Sequence, residues 1–233
     1  MSKNLIIAID GPAGSGKSTT AKIVAQKLDF LYIDTGAMYR AMTYLAIRNK
    51  ILDDKNKIVE LAERSEIELN FINGTTQVKV KGENLTNHIR TIEVNKNVSK
   101  ISKIEGLRKI LVKKQREMAT IGIGVVMEGR DIGTIVFPNA DVKVYLTAII
   151  DERAKRRVKE YAEIGKHVSL NEIKSNLQYR DITDSNRETS PLMKAADAIV
   201  VDTSDVSIKE QVDLILNEVQ NKADKLGIEI NIN

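Results

Sequence analysis

Eight consecutive residues constrain this chain more than any others. Gly11-Pro12-Ala13-Gly14-Ser15-Gly16-Lys17-Ser18 fits the pattern G-x-x-x-x-G-K-[S/T]. The apolar run Asn4–Asp10 (NLIIAID) precedes it and reads as a buried strand, while Lys17–Leu28 behind it reads as a helix. The glycines let the backbone fold back so that successive N–H groups point at phosphate oxygens. The helix N-terminus adds its partial positive charge. Gly11 through Ser18, with Thr19, therefore form the candidate ATP-binding segment. Within it Lys17 would bridge the β- and γ-phosphates and Ser18 would ligate Mg²⁺.

The rest of the chain repeats the strand-then-helix rhythm. Leu31–Ile33, Gly124–Glu128, Asp141–Thr147 and Ala198–Asp202 read as strands. Helices follow near Ala37–Asn49 and over Asp151 to about Ile164, and a closing helix carries Ile208, Val212, Ile215, Val219, Ala223 and Leu226 on one stripe. Alternation of this kind predicts an α/β fold of P-loop NTPase type, a five-stranded parallel sheet with helices on both faces. Two stretches break the rhythm. Ile67–Lys81 alternates with period two around Asn73-Gly74, a hairpin signal, and helical stretches follow at Thr91–Ile101 and Ile104–Ile121. Residues 63–101 thus read as an insertion into a core of 1–62 and 102–233. The polar segment Lys166–Lys194 reads as a mobile flap or lid, with the lid as a whole at about 153–190.

Composition narrows the chemistry. There is no cysteine, which excludes disulfides, thiolate metal sites and a cysteine nucleophile. His88 and His167 are too far apart in sequence to suggest a histidine metal site and read as ordinary polar positions. No apolar run approaches the length of a membrane span. The chain is expected to be cytoplasmic, monomeric and without a membrane partner. Lys plus Arg number 36 against 32 Asp plus Glu, a net charge of +4. Lys109, Lys113, Lys114 and Arg116 are interleaved with acids, so no nucleic-acid surface is expected. Asn221-Lys222-Ala223-Asp224 matches a guanine-reading string but lies inside the closing helix, with no D-x-x-G before it, and reads as a solvated face.

A P-loop alone does not separate a kinase from a mechanical or regulatory ATPase, and Glu128, ending a strand, keeps the second possibility open. Three clusters favour the first. Asp34-Thr35-Gly36-Ala37-Met38-Tyr39-Arg40 follows the second strand and Glu128-Gly129-Arg130-Asp131 the third. Arg153, Arg156 and Arg157 share a helix, and Arg180 and Arg187 flank Asp184. Ligands of such sheets bind past the carboxyl ends of strands. Arginine forks stabilise a phosphoryl group in transfer. This many arginines exceeds what ATP alone requires and points to a second phosphorylated substrate.

At this point the chain resembles the bacterial-type cytidylate kinases among the nucleoside monophosphate kinases. The strings that carry the resemblance are IDGPAGSGKST, DTGAMYRA, IRTIEV, GLRKILVKKQR, EGRDIGTIVFPNA and RDITDSNRETSPLMKAADAIVVDT, in the family's order from about Ile6 to Asp202. The resemblance implies transfer of a phosphoryl group from ATP to CMP or dCMP, with small nucleotides as the only partners. It also implies that the insertion binds the monophosphate. It places Thr35, Arg40, Arg130 and Arg187 around the acceptor phosphate, Ser99, Arg108 and Asp131 on the cytosine, and Arg180 and Asp184 on the ribose. Arg153 and Arg157 belong by the same resemblance to the lid over ATP, with Arg157 among the catalytic cations beside Lys17, Arg40, Arg130 and Arg187. Glu128 is the candidate to support Mg²⁺ through water. Thr35 stands where the family pattern has serine, and Thr183 where it has a further arginine.

Overall fold

Ile7, Ala8 and Ile9 are fully buried in strand β1 (Ile6–Asp10), as an apolar run in a sheet covered on both faces requires. The computed structural model describes residues 5–72, 74–120, 124–163 and 165–233. The chain divides into two units, one of Met1–Phe30 with Gly124–Asn233, the other of Leu31–Ile123.

In the first unit β1 pairs in parallel with β6 (Val125–Gly129) on one side and with β7 (Val142–Thr147) on the other. Strand β8 (Ile199–Asp202) pairs in parallel with β7. The strand order within this unit is β6-β1-β7-β8, and β2 (Leu31–Asp34) belongs to the second unit. Helices cover both faces, as the alternation predicts. Helix α1 (Lys17–Leu28) buries Ala21, Val24, Ala25 and Leu28, a stripe at helical spacing. It packs on α8 (Ile208–Leu226), which buries Val212, Ile215, Leu216, Val219 and Ala223. A capping box at Ser207 and Glu210 starts α8, and Gly227, at φ 65°, ends it. Each buried Val, Leu or Ile of these stripes contributes roughly 1.5–3 kcal/mol. Helix α6 (Ile150–Glu163) follows β7.

The polar segment 166–194 contains α7 (Leu170–Ser185), sixteen residues long and packed on α6. The stretch is polar almost all round, so helical periodicity is faint. Burial of Ile173 and Leu177, four residues apart, is sufficient to seat one face.

In the second unit α2 (Thr35–Arg48), α3 (Lys55–Glu63), α4 (Ile92–Ile101) and α5 (Glu105–Met118) surround a core of Met38, Met42, Ile58, Leu85, Ile89, Leu107 and Leu111. The expected hairpin is β3 (Ile67–Ile72) against β4 (Thr75–Val80), antiparallel from Ile72↔Thr75 to Ile67↔Val80. A short β5 (Glu83–Asn84) adds to β4. Gly74 takes φ 76° in the turn, while Asn73 lies outside the described residues. Among the described residues no helix is long and apolar enough to cross a membrane.

Candidate active site

Parallel pairing in the first unit aligns the carboxyl ends of four strands, and the chemistry-bearing residues follow those ends. Gly11 leaves β1 at φ 153°, where an added Cβ would stand 2.0 Å from the carbonyl oxygen of Leu146 on β7. Only glycine lets the loop begin there. Gly16, at φ 88°, is the N-cap of α1 and supplies no side-chain cap, so the amides of the first turn keep the anion-binding character of a helix N-terminus. Lys17 is buried, and its Nζ donates to the carbonyl of Pro12 at 3.0 Å. Ser18 Oγ donates to Glu128 Oε2 at 2.8 Å. A hydroxyl and a buried carboxylate side by side are hard oxygen donors, which fits Mg²⁺.

The loop is fastened from behind. Thr203, just past β8, donates from Oγ1 to the carbonyl of Ser15 at 2.9 Å. Arg156 donates from Nη1 to that Oγ1 at 2.9 Å and also to the Thr203 carbonyl. Arg153 donates from Nε to the Ala148 carbonyl at 3.0 Å and from Nη1 to the Ala13 carbonyl at 3.2 Å, and pairs with Asp181 at 2.7 Å. Gln211 on α8 accepts from Thr20 at 2.9 Å. Arg157 behaves differently from Arg153, since it pairs with Glu160 and lies 5.0 Å from the centre of the Tyr161 ring.

Past β6 the structure gathers four of the expected residues. Arg130 Nε meets Asp184 Oδ2 at 3.1 Å. Arg187 reaches Asp184 Oδ1 at 3.7 Å and Asp131 Oδ1 at 3.9 Å, and it donates from Nε to the Ser190 carbonyl. Arg187, Asp184 and Asp131 are all buried. Burial pushes the Asp184 carboxyl up, but Arg130, Arg187 and Arg180 outweigh it and hold the group below the usual carboxylate range. The aspartate is therefore ionised at neutral pH, with Arg130 bound to it and Arg187 within ion-pair reach.

One participant was not among the candidates. Asp10, the last residue of β1, accepts from the amides of Ile132 and Gly133 at 2.8 Å each, one with each carboxylate oxygen. Burial drives its pKa from 3.8 to about 6, against the pull of those two amides. A raised folded-state pKa means that the contribution of Asp10 to stability is complete below about 3.8 and is lost as pH rises through about 6. A rise of that size corresponds to about 3 kcal/mol. The unfolding free energy of the wild type minus that of Asp10→Asn is expected to fall by about that amount between pH 4 and pH 7. Denaturant titrations at both pH values check this, and a difference independent of pH would refute it.

In the second unit Asp34 caps α2, accepting from the Ala37 amide at 3.0 Å, and its other oxygen meets Arg40 at 2.8 Å and Arg90 at 3.5 Å. Thr35 is buried in the first turn of α2. Arg108, only 2% exposed, donates to the Ser102 carbonyl at 3.2 Å and lies 5.1 Å from the centre of the Tyr39 ring. Ser102 in turn donates to the carbonyl of Ser99 at 3.0 Å. Ser99 and Arg108 are thus linked through one residue. Asp34 and Arg90 were missed as individual residues, although both sit in the quoted strings.

The chain is similar to known proteins along nearly its whole length. The family model described as Cytidylate kinase matches residues 7–221. A Bacillus subtilis (strain 168) protein named cytidylate kinase is 48% identical over 224 residues, covering 96% of this chain and 100% of that one. One from Desulforamulus reducens is 51% identical over 222 residues, covering 94% and 99%. A crystal structure of an uncharacterized protein from Eubacterium ventriosum superposes with a TM-score of 0.54 at 14% identity, covering 94% of this chain and 99% of that one. That likeness concerns the fold alone.

Proposed function

The chain belongs to the cytidylate kinase family, and from that premise we propose that it transfers the γ-phosphoryl group of ATP to CMP and dCMP, giving ADP with CDP or dCDP. The observation that carries this reading is the cluster of Arg130 with the buried Asp184, Arg187 and Asp131 in the same unit as the P-loop. An ATP-hydrolysing switch has no need for such a cluster beyond its donor site, whereas a kinase that acts on a monophosphate must hold a second phosphorylated substrate.

The nucleophile is an oxygen of the acceptor phosphate, which attacks the γ-phosphorus in line with the departing ADP oxygen. Phosphate monoesters lose their second proton near pH 6, so the dianion prevails at neutral pH and no general base is needed. Lys17 binds the β- and γ-phosphates and follows the charge as it develops. Arg40, Arg130 and Arg187 hold the acceptor phosphate, with the Thr35 hydroxyl as a further donor. Arg180 and Asp184 hold the ribose. Arg153 and Arg157 belong to a lid of about 153–190 that closes over ATP and excludes water, which would otherwise compete for the phosphoryl group. Residues 63–101 form the monophosphate-binding insertion. Ser18 would hold Mg²⁺, with Glu128 supporting it through water, and the ion would neutralise phosphate charge.

Base selection follows from hydrogen-bonding chemistry. Asp131 accepts from the N4 amino group of cytosine, and Ser99 and Arg108 address its acceptors. Uracil offers O4 in place of the amino group, so Asp131 would face another acceptor. Sites built on such hydrogen bonds reject the mismatched analogue strongly.

ADP release coupled to an indicator reaction, with ATP, Mg²⁺ and one monophosphate at a time, tests the reading. CMP and dCMP are expected to stimulate release, and UMP, AMP, GMP and dTMP to do so far less. Strong stimulation by a purine monophosphate or by dTMP would overturn the base assignment. Release indifferent to every acceptor would replace the kinase with an ATPase.

A further inference from the structure

Asp131 occupies the N-cap position of a short π-helical turn, Ile132–Val136, and its side chain makes no cap hydrogen bond. That is unusual for an aspartate, whose carboxylate at an N-cap ordinarily takes the amide of the second or third turn residue. Here the second amide, Gly133, and the first, Ile132, both go to Asp10, 121 residues away from Asp131 in the chain. Asp131 Oδ1 lies 3.9 Å from Arg187 Nη2.

We propose that Asp10 is a positioning residue for base selection: it takes over the cap of the turn 131–136 and so leaves the Asp131 carboxylate to the acceptor base. The proposal rests on the reading of Asp131 as the cytosine acceptor. Without Asp10 the amides of Ile132 and Gly133 are buried donors in need of an acceptor, and Asp131 is the nearest carboxylate along the chain. Its carboxylate would rotate onto its own turn and withdraw from the base. The arrangement is costly, because a carboxylate as deeply buried as Asp10 is disfavoured in its charged form. The same residue immediately precedes Gly11, so one side chain ties the strand that launches the P-loop to the segment that carries Arg130 and Asp131.

The test is the ratio of kcat/KM for CMP to that for UMP in the wild type, Asp10→Asn, Asp131→Ala and the double variant, with KM for ATP measured alongside. Asparagine keeps the shape of Asp10 but offers one acceptor where two are used. The ratio is expected to fall about tenfold or more in Asp10→Asn, chiefly through KM for the acceptor, with KM for ATP within about twofold of wild type. If Asp10 acts through Asp131, the double variant is no less selective than Asp131→Ala alone. A wild-type ratio in Asp10→Asn, an equal loss of kcat on both acceptors, or additive losses in the double variant would overturn the proposal. A wild type that does not prefer CMP would remove the reading of Asp131 itself, a separate and distinguishable failure. Should Asp10→Asn not fold, Asp10→Glu is measured in its place. Hydrogen exchange on the wild type also decides, since the Ile132 and Gly133 amides are expected to be strongly protected and rapid exchange at either refutes the brace.

Discussion

Lys17→Met is expected to lower kcat about a thousandfold while leaving the protein folded. The ammonium is the only side-chain charge inside the P-loop, and its role is to follow negative charge as it moves from the γ-phosphoryl group to the departing ADP oxygen. Removing one preorganised donor of that kind costs about 10²–10³ in kcat, and the loss of a full charge belongs at the upper end. In the folded protein Lys17 makes a 3.0 Å hydrogen bond to the Pro12 carbonyl, so the substitution also removes about 1 kcal/mol of stability. The loop keeps its shape, because Thr203 and Arg153 fasten it from other sides. Methionine matches the stem of lysine in length and fills the same space. Steady-state kinetics with CMP and a thermal melt check the prediction together. Turnover within tenfold of wild type would show that Lys17 does not touch the transferring group, and a collapsed melting transition would show that its role is structural.

The helix α1 and the strand before it were legible because the signal is local, being a glycine-bearing turn between an apolar run and a 3.6-residue stripe. The expected helix Lys17–Leu28 coincides with the observed α1. The hairpin was legible for the same reason, through period-two alternation on both sides of a turn dipeptide. The resemblance to cytidylate kinases, drawn from short strings, is borne out by the family match over residues 7–221. Helix α3 was overlooked although its signals were present, with Asp54 as cap and Ile58 and Ala62 four residues apart. Helix α7 was harder to see, because only Ile173 and Leu177 mark its seat in a polar stretch. Least legible were contacts set by sheet order. Asp10 reads as the residue that ends an apolar run, and nothing near it in sequence announces that β6 will bring Ile132 and Gly133 to both of its oxygens. Arg156 reads as one of three arginines on a helix, yet it alone grips Thr203 and through it the Ser15 carbonyl.

Arg130→Ala is expected to cut kcat about a thousandfold, in the range that a transition-state arginine supplies to phosphoryl transfer. Arg130 differs from Lys17 in that its guanidinium is also bound to a buried carboxylate, Asp184 Oδ2 at 3.1 Å. Two effects must therefore be separated. Removing one partner of a buried ion pair leaves the other charge less compensated, and that destabilises. Arg187 still faces Asp184 at 3.7 Å, and Arg180 still contributes to its field, so the loss is partial. Its sign with pH is fixed by the lowered pKa of Asp184. A lowered folded-state pKa stabilises above the unfolded value of about 3.9 and is lost as pH falls below it. Arg130→Ala should thus be most destabilised near neutral pH and converge on wild type in acid. Arg130→Lys keeps a charge near Asp184 but not the two-pronged fork that a phosphate and a carboxylate share. It is expected to recover most of the stability and little of the kcat. Were the lysine variant to recover both in proportion, Arg130 would be acting through Asp184 alone, and the acceptor phosphate would have to be held by the remaining arginines.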